Sequence, residues 1–360
     1  MSLRPWRSGF LSLAGAFFVG LSVSAPPCPA SPDEAARYTI GGADLRIYNL
    51  VGSLQVVHGT GAAVVAEVTM KGKDAAQLKV ETGPLDGRQT LRVLYPGNRV
   101  VVPELGENTT STFRVEPEGT FHDEQHGGRR VVLSGKGPGV EASADIRLLV
   151  PSGKKVGVYW GQGSASVTGV DADLLLDGAG MPVSATGIRG SLYVDVGSGA
   201  VHVDRADAEI RIETGSGDVS LTGVHGKAVT VDTGSGEVTG SDLSAQAASI
   251  GTGSGSIDLG KFKADRASLD TGSGDVKVEI AGDARSLEID SGSGDVTVTI
   301  PKTLGAEVSI ETASGGIETN LTMETTVRKR DELVGRIGDG RGRITIETGS
   351  GTVSLRQVGP

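Results

Sequence analysis

Apolar and polar residues alternate along much of this chain. Between residues 267 and 280, Ala267, Leu269 and Thr271 alternate with Ser268 and Asp270. After Gly272-Ser273-Gly274, Val276, Val278 and Ile280 alternate with Asp275, Lys277 and Glu279. A period of two with polar partners predicts a strand with one buried face. Residues 211–221, 230–238 and 287–300 repeat the pattern.

The turns between these strands recur. Glycines pair at Gly161/Gly163, Gly178/Gly180 and Gly197/Gly199, then at Gly215/Gly217, Gly234/Gly236, Gly253/Gly255, Gly272/Gly274 and Gly292/Gly294. A decayed copy follows at Ala313-Ser314-Gly315, and a last good one at Gly349-Ser350-Gly351. The spacings run from 17 to 21 residues before a final jump of 36. Each repeat is therefore strand, tight turn, strand, second turn. One copy cannot bury its own apolar face, but stacked copies can. The expected fold is all-β, a single-chain parallel β-solenoid of about ten short rungs, roughly 45–50 Å long at strand spacing.

The turn glycines predict either positive φ or very close backbone packing. The middle serines are expected to stack into a hydroxyl ladder. Thr214, Thr233, Thr252, Thr271 and Thr348 are expected to form a second one beside it. Residues 31–141 are also β-rich. They are expected to form an N-terminal cap that hides the first edge, with a polar loop or loose hairpin near 103–128. Residues 52–56, Gly-Ser-Leu-Gln-Val, read as an early rung. The repeat array is expected over 142–360, with an excursion near 322–342 carrying one short helical turn at 329–334.

Composition fits a thin core. Glycine accounts for 56 residues and aromatics for only 4%, too few rings to fill a broad interior. The net charge is −10. Arg4 and Arg7 are the only charges in the first thirty residues, so without that segment it is about −12. Such a surface disfavours nucleic acid and anionic lipid. Residues 1–30 read as a signal peptide: two arginines, a short apolar stretch over 10–25, and Cys28-Pro29-Ala30 before Ser31. The expected location is periplasmic, cell-surface or extracellular. Cys28, the only cysteine, would leave with the signal, and Pro26-Pro27 makes it a poor lipidation site. No second apolar run is long enough to span a membrane.

The chain resembles the bacterial putative-adhesin family of β-solenoid domains. The resemblance rests on Ile146-Arg147-Leu148-Leu149-Val150-Pro151-Ser152-Gly153 leading into the repeats and on the serial Thr-Gly-Ser-Gly-Asp-Val copies. It rests also on the closing Ile344-Thr345-Ile346-Glu347-Thr348-Gly349-Ser350-Gly351. It covers nearly the whole exported chain. The resemblance implies a β-solenoid and transfers no catalytic residue.

Candidate chemistry is sparse. A strand, not a helix, follows each Gly-Ser-Gly, so these are not phosphate loops. The serine lies between adjacent glycines, not at a nucleophile elbow, and no histidine recurs in register with it. His122, Asp123, Glu124 and His126 form a small cluster in the polar segment that reads as a solvated loop rather than a metal site. His58, His202 and His225 are isolated. Tyr159, Trp160 and Tyr193 could form a sugar platform, with packing favoured. Acidic columns are the best lead. Glu213, Asp232, Asp270, Asp290 and Glu347 precede the turn threonine (Ser291 in the case of Asp290), and Asp218, Glu237, Asp275 and Asp295 follow the turn. Asp270, Asp275, Asp290 and Asp295 are weak calcium candidates beside the reading of a solvated face.

The sequence therefore points to an exported, non-enzymatic, adhesin-like binding or scaffold module of the cell envelope. It needs no cofactor, and its partner is an unknown envelope protein or glycan. A polysaccharide-acting β-helix enzyme is the alternative, disfavoured because the rungs carry few long loops. An envelope-stress sensor acting through protein partners is another.

Overall fold

The computed structural model describes residues 35–105, 109–121 and 127–358. The signal segment and His122, Asp123, Glu124 and His126 lie outside them. The alternation folds as extended chain: strands dominate, and the only helical pieces described are two three-residue 3-10 turns.

The N-terminal strands are β1 (Ala36–Ile40), β2 (Asp44–His58), β3 (Val64–Lys71), β4 (Lys79–Leu85), β5 (Arg88–Leu94), β6 (Arg99–Val101), β7 (Thr110–Val115), β8 (Arg129–Ser134) and β9 (Ser143–Val150). β2 carries the first Gly-Ser pair. Parallel to it runs β10 (Lys155–Thr168), with Gly52 opposite Gly163 and Val56 opposite Val167. The other edge of β2 is shared. β5 pairs with its first half and β9 with its second, both parallel. Beyond them the pairing turns antiparallel, β4 on β5, and β3 on β9 with β1 outside. β6, β8 and β7 form a small separate sheet.

The segment near 103–128 was expected to be a polar loop or loose hairpin. It contains β7, paired antiparallel with β8. Phe113 and Phe121 are buried there in an edge-to-face chain with Tyr48, at 5.7 and 5.9 Å between rings. Two aromatics fix this segment, and polar neighbours hide them in the sequence.

Six long strands follow β10: β11 (Asp171–Gly180), β12 (Val183–Ser198), β13 (Val201–Thr214), β14 (Val219–Thr233), β15 (Val238–Thr252) and β16 (Ile257–Thr271). Each pairs parallel with the next, the register shifting once, between Asp207 and Ile210 where β13 meets β14. Val201, Val219, Val238 and Ile257 stand in one column, all buried. The core is a line of such columns, which suits a chain poor in rings.

The closing strands are β17 (Val276–Ile280), β18 (Ser286–Ser291), β19 (Val296–Ile300), β20 (Ala306–Thr312), β21 (Ile317–Thr319), β22 (Glu324–Arg328), β23 (Glu332–Ile337), β24 (Gly342–Thr348) and β25 (Val353–Gln357). Here stacking leaves chain order. β18 pairs with β24, and β24 with β20. β19 pairs with β25, and β25 with β21. The last copy is thus inserted between the 287–300 and 306–319 copies. The expected helical turn at 329–334 is absent: β22 and β23 form an antiparallel hairpin, and β23 lies antiparallel along the outer edge of β20. Leu333 and Ile337 anchor the hairpin in the core. Its alternation, masked by charge, is that of a strand.

Candidate functional site

The Gly-Ser-Gly corner is a stacking device. None of the glycines from Gly215 to Gly294 in these turns is left-handed. The reason for glycine is crowding: a methyl on Gly217, Gly236 or Gly255 would lie 1.9 Å from the carbonyl oxygen of the turn before it. No serine–serine ladder joins the middle residues among the described turns.

The threonines do not bond to each other. Those from Thr233 onward each clasp two successive corners, while Thr214 accepts from Gly217 N–H at 3.1 Å. The Thr252 hydroxyl donates to Gly236 O (2.9 Å) and accepts from Gly255 N–H (3.0 Å). Thr233 and Thr271 do the same, and Ser291 substitutes for threonine one copy on. All four are buried, so these hydroxyls satisfy groups that would otherwise be orphaned. In the same column at the start of the stack sits Trp160, fully buried, whose Nε1–H donates to Gly52 O (2.8 Å). Trp160 is a clasp and not part of a sugar platform.

The carboxylates after the turn have a related duty. Asp218 accepts from Glu237 N–H, Asp275 from Asp295 N–H, and Asp295 from Thr352 N–H, at 2.7–3.0 Å. Asp145, in the same column, accepts from Ser53 N–H at 2.8 Å. Burial alone would raise the Asp145 carboxyl, but the hydrogen bonds from Lys71 and Ser53 together hold it below its ordinary value. Among the described residues no three His, Cys, Asp or Glu side chains come together to hold a metal ion. Asp275 and Asp295 each commit one oxygen to the backbone of the neighbouring copy.

The column before the turn is different. It runs Asp177, Asp195, Glu213, Asp232, Gly251, Asp270, Asp290, Glu347 and Glu311 on successive strands. Partial burial, then Asp290 and Asp232, push the Asp270 carboxyl up. Asp177, Asp195 and Glu311 escape a search for intact turns, because their turns have lost either the threonine or the first glycine. The column ends in a groove of about 530 Å³ beside the hairpin, lined by Asp290, Glu311, Asp331, Glu332 and Glu347 with Lys329.

Towards the N-terminal strands the same face changes sign. Tyr48 and Tyr159 replace the acids in the column, stacked 4.7 Å apart at 9°. In the next column Arg46, Gly157, Leu175, Tyr193 and Arg211 follow one another. Arg46 lies over the Tyr159 ring at 5.4 Å, and Arg211 over Tyr193 at 5.0 Å. Burial, followed by the Asp195 and Glu213 charges, raises the Tyr193 phenol. A cleft of about 320 Å³ opens around Gly157.

The family described as Toastrack DUF4097 matches residues 65–356, most of the chain. The chain belongs to that family. A mostly parallel all-β stack is the fold of this Toastrack chain. No curated protein matches it. A solved structure from Clostridium sporogenes, described as a "putative cell adhesion protein", aligns over 90% of this chain and 100% of that one. Identity is 11% and the TM-score 0.23, a superposition too loose to bear on this Toastrack chain. No helix among the described residues is long and apolar enough to cross a membrane.

Proposed function

We propose that this protein is an exported, non-enzymatic Toastrack solenoid that serves as a binding or scaffold module of the bacterial cell envelope, adhesin-like in its action. The reading takes residues 1–30 as signal, 31–141 as the cap and 142–360 as the array of about ten rungs. One observation carries it. The parallel register from β10 to β16, irregular only between Asp207 and Ile210, sets outward side chains in columns along one face, aromatic and basic at one end and acidic at the other. Repeat arrays bind through such extended surfaces. The threonines before the turns and the aspartates after them are meanwhile occupied in joining one copy to the next. The partner is an envelope protein or a glycan.

Two measurements test this. The intact mass of the exported protein should place its N-terminus near Ser31, and retention of Met1 would contradict export. The full exported chain, immobilised, should retain a saturable component of cell-envelope extract that a charge-matched unrelated protein does not. Equal retention by both would remove the binding reading.

A further inference from the structure

Gly157 has no structural need to be glycine. Its φ is not left-handed, and a methyl there would meet Tyr159 Cε2 at 3.4 Å and Arg46 Cγ and Leu175 Cδ2 at 3.8 Å, all ordinary contacts. Its column neighbours carry long side chains: Arg46 on one side, Leu175 and then Tyr193 on the other. The missing side chain leaves a notch, and the cleft of about 320 Å³ opens there. That size falls within the roughly 300–1,000 Å³ of small-molecule sites.

The cleft carries two kinds of group. Leu175 and the ring of Tyr193, both half-buried, offer apolar surface, while the Tyr159 ring is buried. Arg46, Arg88 and Lys155 bring three cations against the carboxylates of Asp44 and Asp173. Asp44 is paired with Arg88 at 3.1 Å, and Asp173 accepts from the Ser191 hydroxyl at 2.8 Å. In a chain of net charge −10, a cleft with a cationic excess stands out. Apolar surface beside a cation suits a ring with a C–H face and one carboxylate; Arg88 already pairs with Asp44 and Arg46 lies over Tyr159, which makes exposed Lys155 the cation that meets the carboxylate. A long polyanion is disfavoured, because the acidic column starts on the very next strand, at Asp177 opposite Tyr159.

We propose that the cleft over Gly157 binds a carboxylated sugar ring, one unit of an acidic glycan. This rests on the binding-module reading and names its site and ligand class.

The test is calorimetric titration of the full exported chain at about 0.15 M ionic strength. Trigalacturonate is compared with galactotriose, which lacks only the carboxylates, and with triglutamate, which keeps charge without the ring. Trigalacturonate should bind at least about tenfold more tightly than either. Gly157→Val should fill the notch and weaken trigalacturonate at least about tenfold with an unchanged melting temperature. Lys155→Gln, at an exposed site, should shrink the preference for acidic over neutral sugar. Equal binding of the two sugars, triglutamate binding as tightly as trigalacturonate, no binding of trigalacturonate, or no effect of Gly157→Val in the folded protein would overturn the proposal. Envelope retention measured with the same Gly157→Val variant separates the two readings. Wild-type retention without wild-type trigalacturonate binding sinks the cleft alone, while absence of wild-type retention sinks the module.

Discussion

Within each repeat the chain bends at two kinds of place, and glycine serves them for opposite reasons. At the Gly-Ser-Gly corner, Gly236 is not left-handed, yet a methyl on it would lie 1.9 Å from Gly217 O. At the second bend the successive residues are Gly169, Gly187, Arg205, Gly223, Asp242 and Lys261, with φ between 50 and 69°. Nothing crowds them: a methyl on Gly223 would have its nearest neighbours at 3.9 Å, and one on Gly169 would have none within 4 Å. Left-handed backbone costs an ordinary residue about 1–2 kcal/mol, which a stack can absorb. A carbonyl at 1.9 Å cannot be absorbed without parting the strands. The first corner therefore keeps glycine in nearly every copy, while the second accepts Arg, Asp and Lys. A recurring residue marks crowding more surely than it marks an unusual torsion.

The largest expected effect lies between the bends. Val276→Asp places an unpaired carboxylate at a core position 1% exposed, and should cost about 4 kcal/mol or more. Lys277→Asp, one residue on and exposed, loses an ion pair with Asp258 at 3.0 Å, worth at most about 1 kcal/mol at a surface. Urea unfolding of both variants checks this; equal losses would remove the alternation on which both bends are mapped.

Next in size is the clasp of the first corner. Thr252→Val leaves Gly236 O and Gly255 N–H without their partner and should cost about 1–3 kcal/mol. Thr252→Ser should recover most of it, as Ser291 does naturally. A valine variant as stable as wild type would show that the corner is held by crowding alone.

The smallest effect lies in the acidic column. Asp270 is pushed up, first by burial and then by Asp290 and Asp232. A carboxyl raised in the fold above its unfolded value of about 3.9 opposes folding when charged, in full above its folded pKa and not at all well below the unfolded one. Asp270→Asn should raise the melting temperature at pH 7 and leave it unchanged near pH 3. The gain should not exceed about 0.5 kcal/mol, since the site is exposed. Calcium and sodium chloride at equal ionic strength should stabilise the wild type alike. A calcium-specific rise, lost in Asp275→Asn/Asp295→Asn, would instead make these carboxylates a metal site.

Strand alternation, the repeat and the glycine corners were legible in the sequence because each copy repeats the same local physics. The order of the last strands was not. Parallel pairing is chosen in space, and nothing local to Gly342–Thr348 says that it inserts beside β18 instead of after β20. The second bend was hidden because Arg205, Asp242 and Lys261 share a torsion and no residue type. Asp275 and Asp295 were visible as a column, but their bonds to the next backbone needed the register. The cleft was the least legible part. Arg46, Arg88, Lys155 and Tyr193 come from four strands, and the residue that opens it is one glycine among 56.

The most direct measurement is urea unfolding of Gly236→Ala beside Gly223→Ala, one methyl at each bend. The stacking account predicts a loss of at least about 3 kcal/mol at Gly236, where the methyl meets backbone. It predicts about 1 kcal/mol at Gly223, where only the torsion resists. Equal losses, or a larger loss at Gly223, would contradict it.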